Sequence, residues 1–247
     1  MTSLDLNADI GEGLPNDAAL LDIISSANIA CGGHAGNEAS MRAALRGAKE
    51  KGVVAGAHPG FIDPENFGRR RLDIGADELT RQMRLQLETL STLAKDEGVE
   101  LRYVKLHGAL ANMAAEDEHL ASIAFAAVRS HDAHLAILAI DNSAQVSAAE
   151  ALGLRIVHEA YADRGYQPNG LLVPRSEPGA VLHNAELIAQ RAVRLATRGE
   201  LVAADGSAIA TVATSLCIHG DNAEAVAIAQ ALRDSLTEAG IGIAASL

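Results

Sequence analysis

Seven blocks of the chain carry side chains able to move protons, bind metals or grip anions, most of them beside glycine. They are Asn7-Ala8-Asp9-Ile10-Gly11-Glu12, Cys31-Gly32-Gly33-His34, Ala57-His58-Pro59-Gly60, Lys105-Leu106-His107-Gly108, Ile140-Asp141-Asn142, His158-Glu159 with Ala162-Asp163-Arg164 just behind, and His219-Gly220-Asp221-Asn222. Imidazoles mixed with carboxylates suit general acid–base hydrolysis with water as nucleophile. They equally suit a divalent metal that acidifies a bound water, for which Asp9, His34 and His58 are the expected ligands. The spacing is non-local, so the two chemistries stay open at this level. Glycine beside these residues permits tight turns and close approach of substrate to backbone.

Other chemistries lack their sequence patterns. No Gly-x-Ser-x-Gly elbow, phosphate-binding Gly-x-x-x-x-Gly-Lys-Ser/Thr loop or Gly-x-Gly-x-x-Gly fingerprint is present. Cys31 and Cys217 sit in apolar runs and read as small buried hydrophobes. His119, His131, His134, His158 and His183 lack the glycine context and read as surface or structural. Asp5 reads equally well as a partner for a neighbouring strand. Arg69, Arg70 and Arg71 form a basic run after the third block, where a guanidinium fork could hold a carboxylate or phosphate.

The elements that must position these residues alternate. Strand candidates lie at 3–9, 26–32, 53–59, 103–108, 134–140, 155–160 and 212–219, several nearly all apolar, as strands buried on both faces are. Helical stripes occupy 17–25, 37–51, 77–97, 116–130 and 222–239. Asn37 and Asp77 are the expected N-caps, and Gly52 and Gly98 the expected stops. The stretch 161–182 reads as a functional loop with a small hairpin around 171–173. Alternating strands and helices imply parallel strands with right-handed crossovers. Seven such units in one domain, residues 1–247, predict an α/β fold, a seven-stranded parallel (β/α) barrel with its active site at the C-terminal strand ends.

Composition narrows the partners. A formal charge of −12 disfavours nucleic acid and anionic membranes. No apolar run approaches the roughly 20 residues that span a bilayer. The first five residues show no signal-peptide pattern, so a cytoplasmic location is expected.

The motifs in order resemble the LamB/YcsF family. The resemblance rests on Asp5-Leu6-Asn7-Ala8-Asp9-Ile10-Gly11-Glu12, Asn28-Ile29-Ala30-Cys31-Gly32-Gly33-His34-Ala35-Gly36, Gly56-Ala57-His58-Pro59-Gly60 and Phe67-Gly68-Arg69-Arg70. It continues through Val104-Lys105-Leu106-His107-Gly108-Ala109-Leu110, Ala162-Asp163-Arg164 and His219-Gly220-Asp221-Asn222. The resemblance implies a barrel of the glycoside hydrolase/deacetylase type. It implies ATP-dependent conversion of 5-oxo-L-proline to L-glutamate in complex with 5-oxoprolinase subunits B and C. ATP would then be a co-substrate handled with those partners, and a homo-oligomer is compatible with the pattern. On this reading Asp9, Glu12, His34, His58, His107 and His219 are the catalytic set. Asn7, Arg69, Arg70, Lys105, Asp163, Arg164 and Asp221 contact substrate. The alternatives are a metal-dependent deacetylase or amidase on the same barrel, or a non-catalytic regulatory component of an amidolyase-type complex.

Overall fold

The computed structural model describes residues 3–218 and 224–247. Seven parallel strands close on themselves: β1 (Ser3–Ile10), β2 (Ser26–Ala30), β3 (Val54–His58), β4 (Leu101–Val104), β5 (Ala136–Ile140), β6 (Ile156–Tyr161) and, after the hairpin β7 (Glu200–Val202) and β8 (Ala208–Ala210), β9 (Ser215–Ile218). Closure is made by β1, which pairs with β2 on one side and β9 on the other. A short β10 (Gly242–Ile243) pairs in parallel with the first residues of β1. The seven expected strands are all present, within a few residues of their predicted ends.

Eight helices are described: α1 (Asp17–Leu21), α2 (Glu38–Lys51), α3 (Ala76–Glu97), α4 (Gly108–Glu116), α5 (Glu118–His131), α6 (Ala144–Ala151), α7 (Ala185–Arg198) and α8 (Ala225–Glu238). Among these described residues, no helix is long and apolar enough to cross a membrane. The stripe Leu79, Met83, Leu87 and Leu90 of α3 is fully buried, as its spacing requires. Gly52 and Gly98 end α2 and α3 in the left-handed conformation.

Asn37 starts α2 through a reciprocal capping box. Its Oδ1 accepts from Ser40 N at 3.1 Å, and Asn37 N donates to Ser40 Oγ at 2.9 Å. Ser40 Oγ also donates to Gly11 O, tying the helix start to the loop after β1. Asn37→Ala should cost about 1 kcal/mol. In a chain of this length that lowers the melting temperature by roughly 2–4 °C, measurable by calorimetry.

One expected cap needs correction, and α4, α6, α7 and a hairpin lie outside the expected elements. Asp77 is not the N-cap of α3: Gly75 is, and Asp77 lies in the first turn, where a carboxylate complements the helix dipole. The helix expected at 116–130 is α5, and α4 precedes it outside the expected set; Asp117 ends α4 and caps α5 by accepting from His119 N and Leu120 N. The hairpin of β7 and β8 has no counterpart among the expected elements. The 161–182 loop does carry the expected local pairing, with bridges between Arg164 and Val181 and between Tyr166 and Leu172.

The barrel interior is unusual in being polar. In β1, Leu4, Leu6, Ala8 and Ile10 alternate with Asp5, Asn7 and Asp9, so one face of the strand is apolar and the other hydrogen-bonding. Asp5 accepts from the hydroxyls of Ser25, Ser26 and Ser215. Asn7 and Asp9 continue this ladder upward toward the C-terminal ends of the strands.

Candidate active site

The ladder ends in a cluster at the barrel mouth. Lys105 enters from just beyond β4 and is 2% exposed. Its ammonium lies 2.9 Å from Glu159 Oε1, 2.8 Å from Cys217 Sγ, 3.2 Å from Asn7 Oδ1 and 3.4 Å from Asp9 Oδ1. Burial alone would lower its pKa, but Asp9, Cys217 and Glu159 together hold it well above the ordinary lysine value. A fixed positive charge therefore sits under Asp9 and favours the ionised carboxylate. Asn28 Nδ2 donates to the same Asp9 oxygen at 2.9 Å, and Tyr103 OH holds Asn28 in turn.

Asn7 uses its whole hydrogen-bonding capacity on protein. Its amide donates to Glu159 and Ser215, and its carbonyl accepts from Asn28 and Lys105. It orients the ladder and does not border the cavity, so the expected substrate contact at Asn7 is not what its geometry serves.

Above Asp9 stand three histidines. His34 and His107 stack with ring centroids 3.5 Å apart, and His58 meets both edge-on. His58 Nδ1 donates to Lys105 O at 2.9 Å, and His107 Nε2 donates to Phe67 O at 2.9 Å. These carbonyls can only accept, so they fix both tautomers. His34 Nε2 lies 3.0 Å from Glu12 Oε1, while its Nδ1 is buried without a hydrogen-bond partner. Burial, with His58 close by, pushes the His34 pKa down to about 3, and burial beside His34 and His58 lowers that of His107. Glycine makes the arrangement sterically accessible. Gly108 has φ +56°, and a Cβ there would stand 2.6 Å from Gly68 O, so the Phe67-Gly68 turn could not close over His107.

A cavity of about 330 Å³ opens over this cluster. Asp9, His58, Lys105, His107, Arg69 and Arg164 border it, with Tyr161 and the 171–176 segment. Arg164 is buried and donates from Nε to Ala180 O and from Nη2 to Val173 O; neither bond uses Nη1. Arg69 is exposed and lies over the Phe67 ring at 4.9 Å. Arg70 is exposed, 3.9 Å from Asp63, and does not border the cavity. Arg71 does, but is engaged bidentately by Glu116. Glu12 and His34 lie behind the cavity wall, and Asp163 is buried beside Arg164. His219 and Asp221 lie outside the described residues.

Three residues matter more than their sequence context suggests. Cys217 is buried as expected, yet its sulfur is also a partner of Lys105. Glu159 is the carboxylate nearest that lysine. Gln86 of α3 clamps Gly60 by donating to its carbonyl and accepting from its N–H. Only Glu159 carries a signal, as a carboxylate beside His158 in a strand whose other residues are apolar or aromatic.

Asp141, grouped with the strand-end residues, serves elsewhere. It accepts from His158 Nδ1 at 2.8 Å, Thr211 Oγ1 and Val212 N. Burial alone would raise its pKa, but His158 and Thr211 hold it near about 2. The same contact raises His158 above 6.5. The pair therefore stabilises above the ordinary carboxylate range and below the raised histidine pKa, and its contribution fades as pH climbs through that value. His158→Gln should cost more stability near about pH 5.5 than near about pH 9. Urea denaturation at both pH values checks this.

Comparison with known proteins gives a consistent picture. Residues 4–247 match the model of the LamB/YcsF family. The chain is 45% identical over 244 residues to a 5-oxoprolinase A component of Pseudomonas syringae pv. tomato, covering 97% of this chain and 95% of that one. It is similar in structure to the lactam utilization protein of Thermus thermophilus, with a TM-score of 0.92 and 38% identity over 98% and 99% of the two chains. A family 4 carbohydrate esterase from Streptomyces lividans shares the fold at a TM-score of 0.52 and 10% identity, over 98% and 91% of the chains.

Proposed function

The chain belongs to the LamB/YcsF family, and on that premise we propose that its barrel mouth is the lactam-opening site of an ATP-dependent 5-oxoprolinase, working as the A component beside subunits B and C. The observation that carries this reading is the convergence of Asp9, Lys105, His58, His107 and Arg164 on one small cavity. About 330 Å³ is at the small end of ligand sites and suits a five-membered ring bearing one carboxylate. The relatives named for 5-oxoprolinase and for lactam utilization support the same substrate class.

An amide is a poor electrophile, so the reaction needs activation. The chain has no phosphate-binding loop motif, which agrees with ATP being handled with the partners. In the proposed sequence the partners transfer a phosphoryl group from ATP to the lactam oxygen. Water adds to the ring carbon while Asp9 takes its proton. The ring C–N bond breaks, nitrogen receives that proton, and an acyl phosphate remains. A second water releases phosphate and gives glutamate. Lys105 keeps Asp9 ionised before each step, and Arg164, with Arg69 at the rim, holds the substrate carboxylate or the phosphoryl group.

The test is reconstitution. The purified chain with ATP and 5-oxo-L-proline should release no glutamate, and adding subunits B and C should start release that depends on ATP. Deacetylation of N-acetylated sugars by the chain alone, with no release in the reconstituted system, would overturn the reading.

A further inference from the structure

The histidine cluster contains a conflict that hydrogen bonding does not resolve. His58 Nε2 and His107 Nδ1 face each other at 2.9 Å. Each ring already donates its proton at the opposite nitrogen, to Lys105 O and to Phe67 O. The neutral tautomers thus point two lone pairs at one another across a buried contact. Either a shared proton or a cation must lie between or beside them.

The surroundings are those of a cation. Glu12 Oε1 lies 3.8 Å from His107 Nδ1 and 3.0 Å from His34 Nε2, and Asp9 Oδ1 lies 3.3 Å from His58 Nε2. One donor atom from each of Glu12, His34, His58 and His107 falls within 4.8 Å of the others. Tetrahedral bonds of about 2.0–2.1 Å separate neighbouring ligand atoms by about 3.3–3.4 Å, within the span of these contacts. Both His58 and His107 give their second N–H to a backbone carbonyl, the usual outer support of a metal-bound imidazole.

We propose that Glu12, His34, His58 and His107 bind one divalent transition-metal ion of the zinc class, with Asp9 at its flank. Three imidazoles and one carboxylate favour such an ion over magnesium or calcium, which prefer all-oxygen shells. His34 and His58 are among the ligands expected from sequence; Glu12 and His107 complete the set in place of Asp9, which stays available for proton transfer. Because His58 and His107 border the cavity while Glu12 and His34 do not, these residues would hold the ion at the wall, where it would supply Lewis-acid polarisation of a substrate oxygen or water.

The test needs no turnover. The full chain is stripped with a chelator and titrated with Co²⁺. The wild type should take up one ion per chain, with visible absorption bands that Zn²⁺ abolishes by displacement. His58→Asn and His107→Asn should each weaken binding by more than the roughly 10–100-fold that losing an outer-shell partner costs. X-ray absorption of the wild-type Co²⁺ form should show several imidazole ligands, a readout independent of whether the variants fold. A chain that takes up no stoichiometric ion, as a shared proton would require, overturns the proposal, and so does a bound ion without imidazole ligands. Glutamate release by the reconstituted system in the presence of chelator would sink the metal's relevance while leaving the lactam reading intact.

Discussion

Lys105→Met should destabilise the fold by about 3–5 kcal/mol, the usual cost of stranding a buried charge partner. The substitution keeps much of the side-chain volume but leaves Glu159 and Asp9 without the ammonium between them. Glu159 is fully buried, and its Oε2 has no hydrogen-bond partner, so it cannot turn to an alternative donor without rearranging Asn7. Urea denaturation of the variant gives the number directly. Adding Glu159→Gln should recover part of the loss, because the second substitution removes the stranded charge. Equal losses in the single and double variants would show that packing, not charge pairing, sets the cost.

Asp9→Asn should lower turnover in the reconstituted system by roughly 10²–10⁴-fold, the range for losing a positioned acid–base group. The change is nearly isosteric. Asn can still accept from Asn28 at the same position, so the ladder beneath is preserved. Lys105 loses one of its two carboxylates but keeps Glu159, so the melting temperature should fall only in part while the main loss appears in kcat, with assembly with subunits B and C retained. Steady-state glutamate release and a thermal melt on the same preparation separate the two effects.

Much of the fold and site is legible because the barrel writes its active face in local sequence. An apolar run that ends in a titratable residue beside glycine marks a strand meeting the mouth, and His34, His58 and His107 are each found that way. The first strand also announces its polar side through Asp5, Asn7 and Asp9 at alternating positions.

Depth is harder to read. Nothing local distinguishes Asp9, which borders the cavity, from Asn7, which is two residues earlier on the same face and spends every hydrogen bond on the ladder. Lys105 borders the cavity, but its partners, Cys217 among them across 112 residues of chain, cannot be read from its local sequence. Asp141 follows a strand as the others do, but Asn142 takes a positive φ of 56° immediately afterwards. Its carboxylate meets His158 and Thr211 instead of the mouth. The helix α4 escapes a reading by pattern because its sequence, GALANMAAE, is alanine-rich and largely buried, without a polar stripe to reveal its period. The separation of Arg69, Arg70 and Arg71 into rim, outward and Glu116-bound side chains also follows from long-range placement.

If residues from distant strands make one pocket for a lactam, the pocket can be seen filled. The structure to obtain is a crystal of the chain assembled with subunits B and C, 5-oxo-L-proline and a non-hydrolysable ATP analogue. The five-membered ring should lie inside the mouth cavity, its carbonyl carbon within reach of Asp9 at about 3 Å or through one water, with an anionic group on Arg164 or Arg69. A ring bound wholly by a partner protein, with Asp9 and the histidines remote from it, would contradict the lactam pocket.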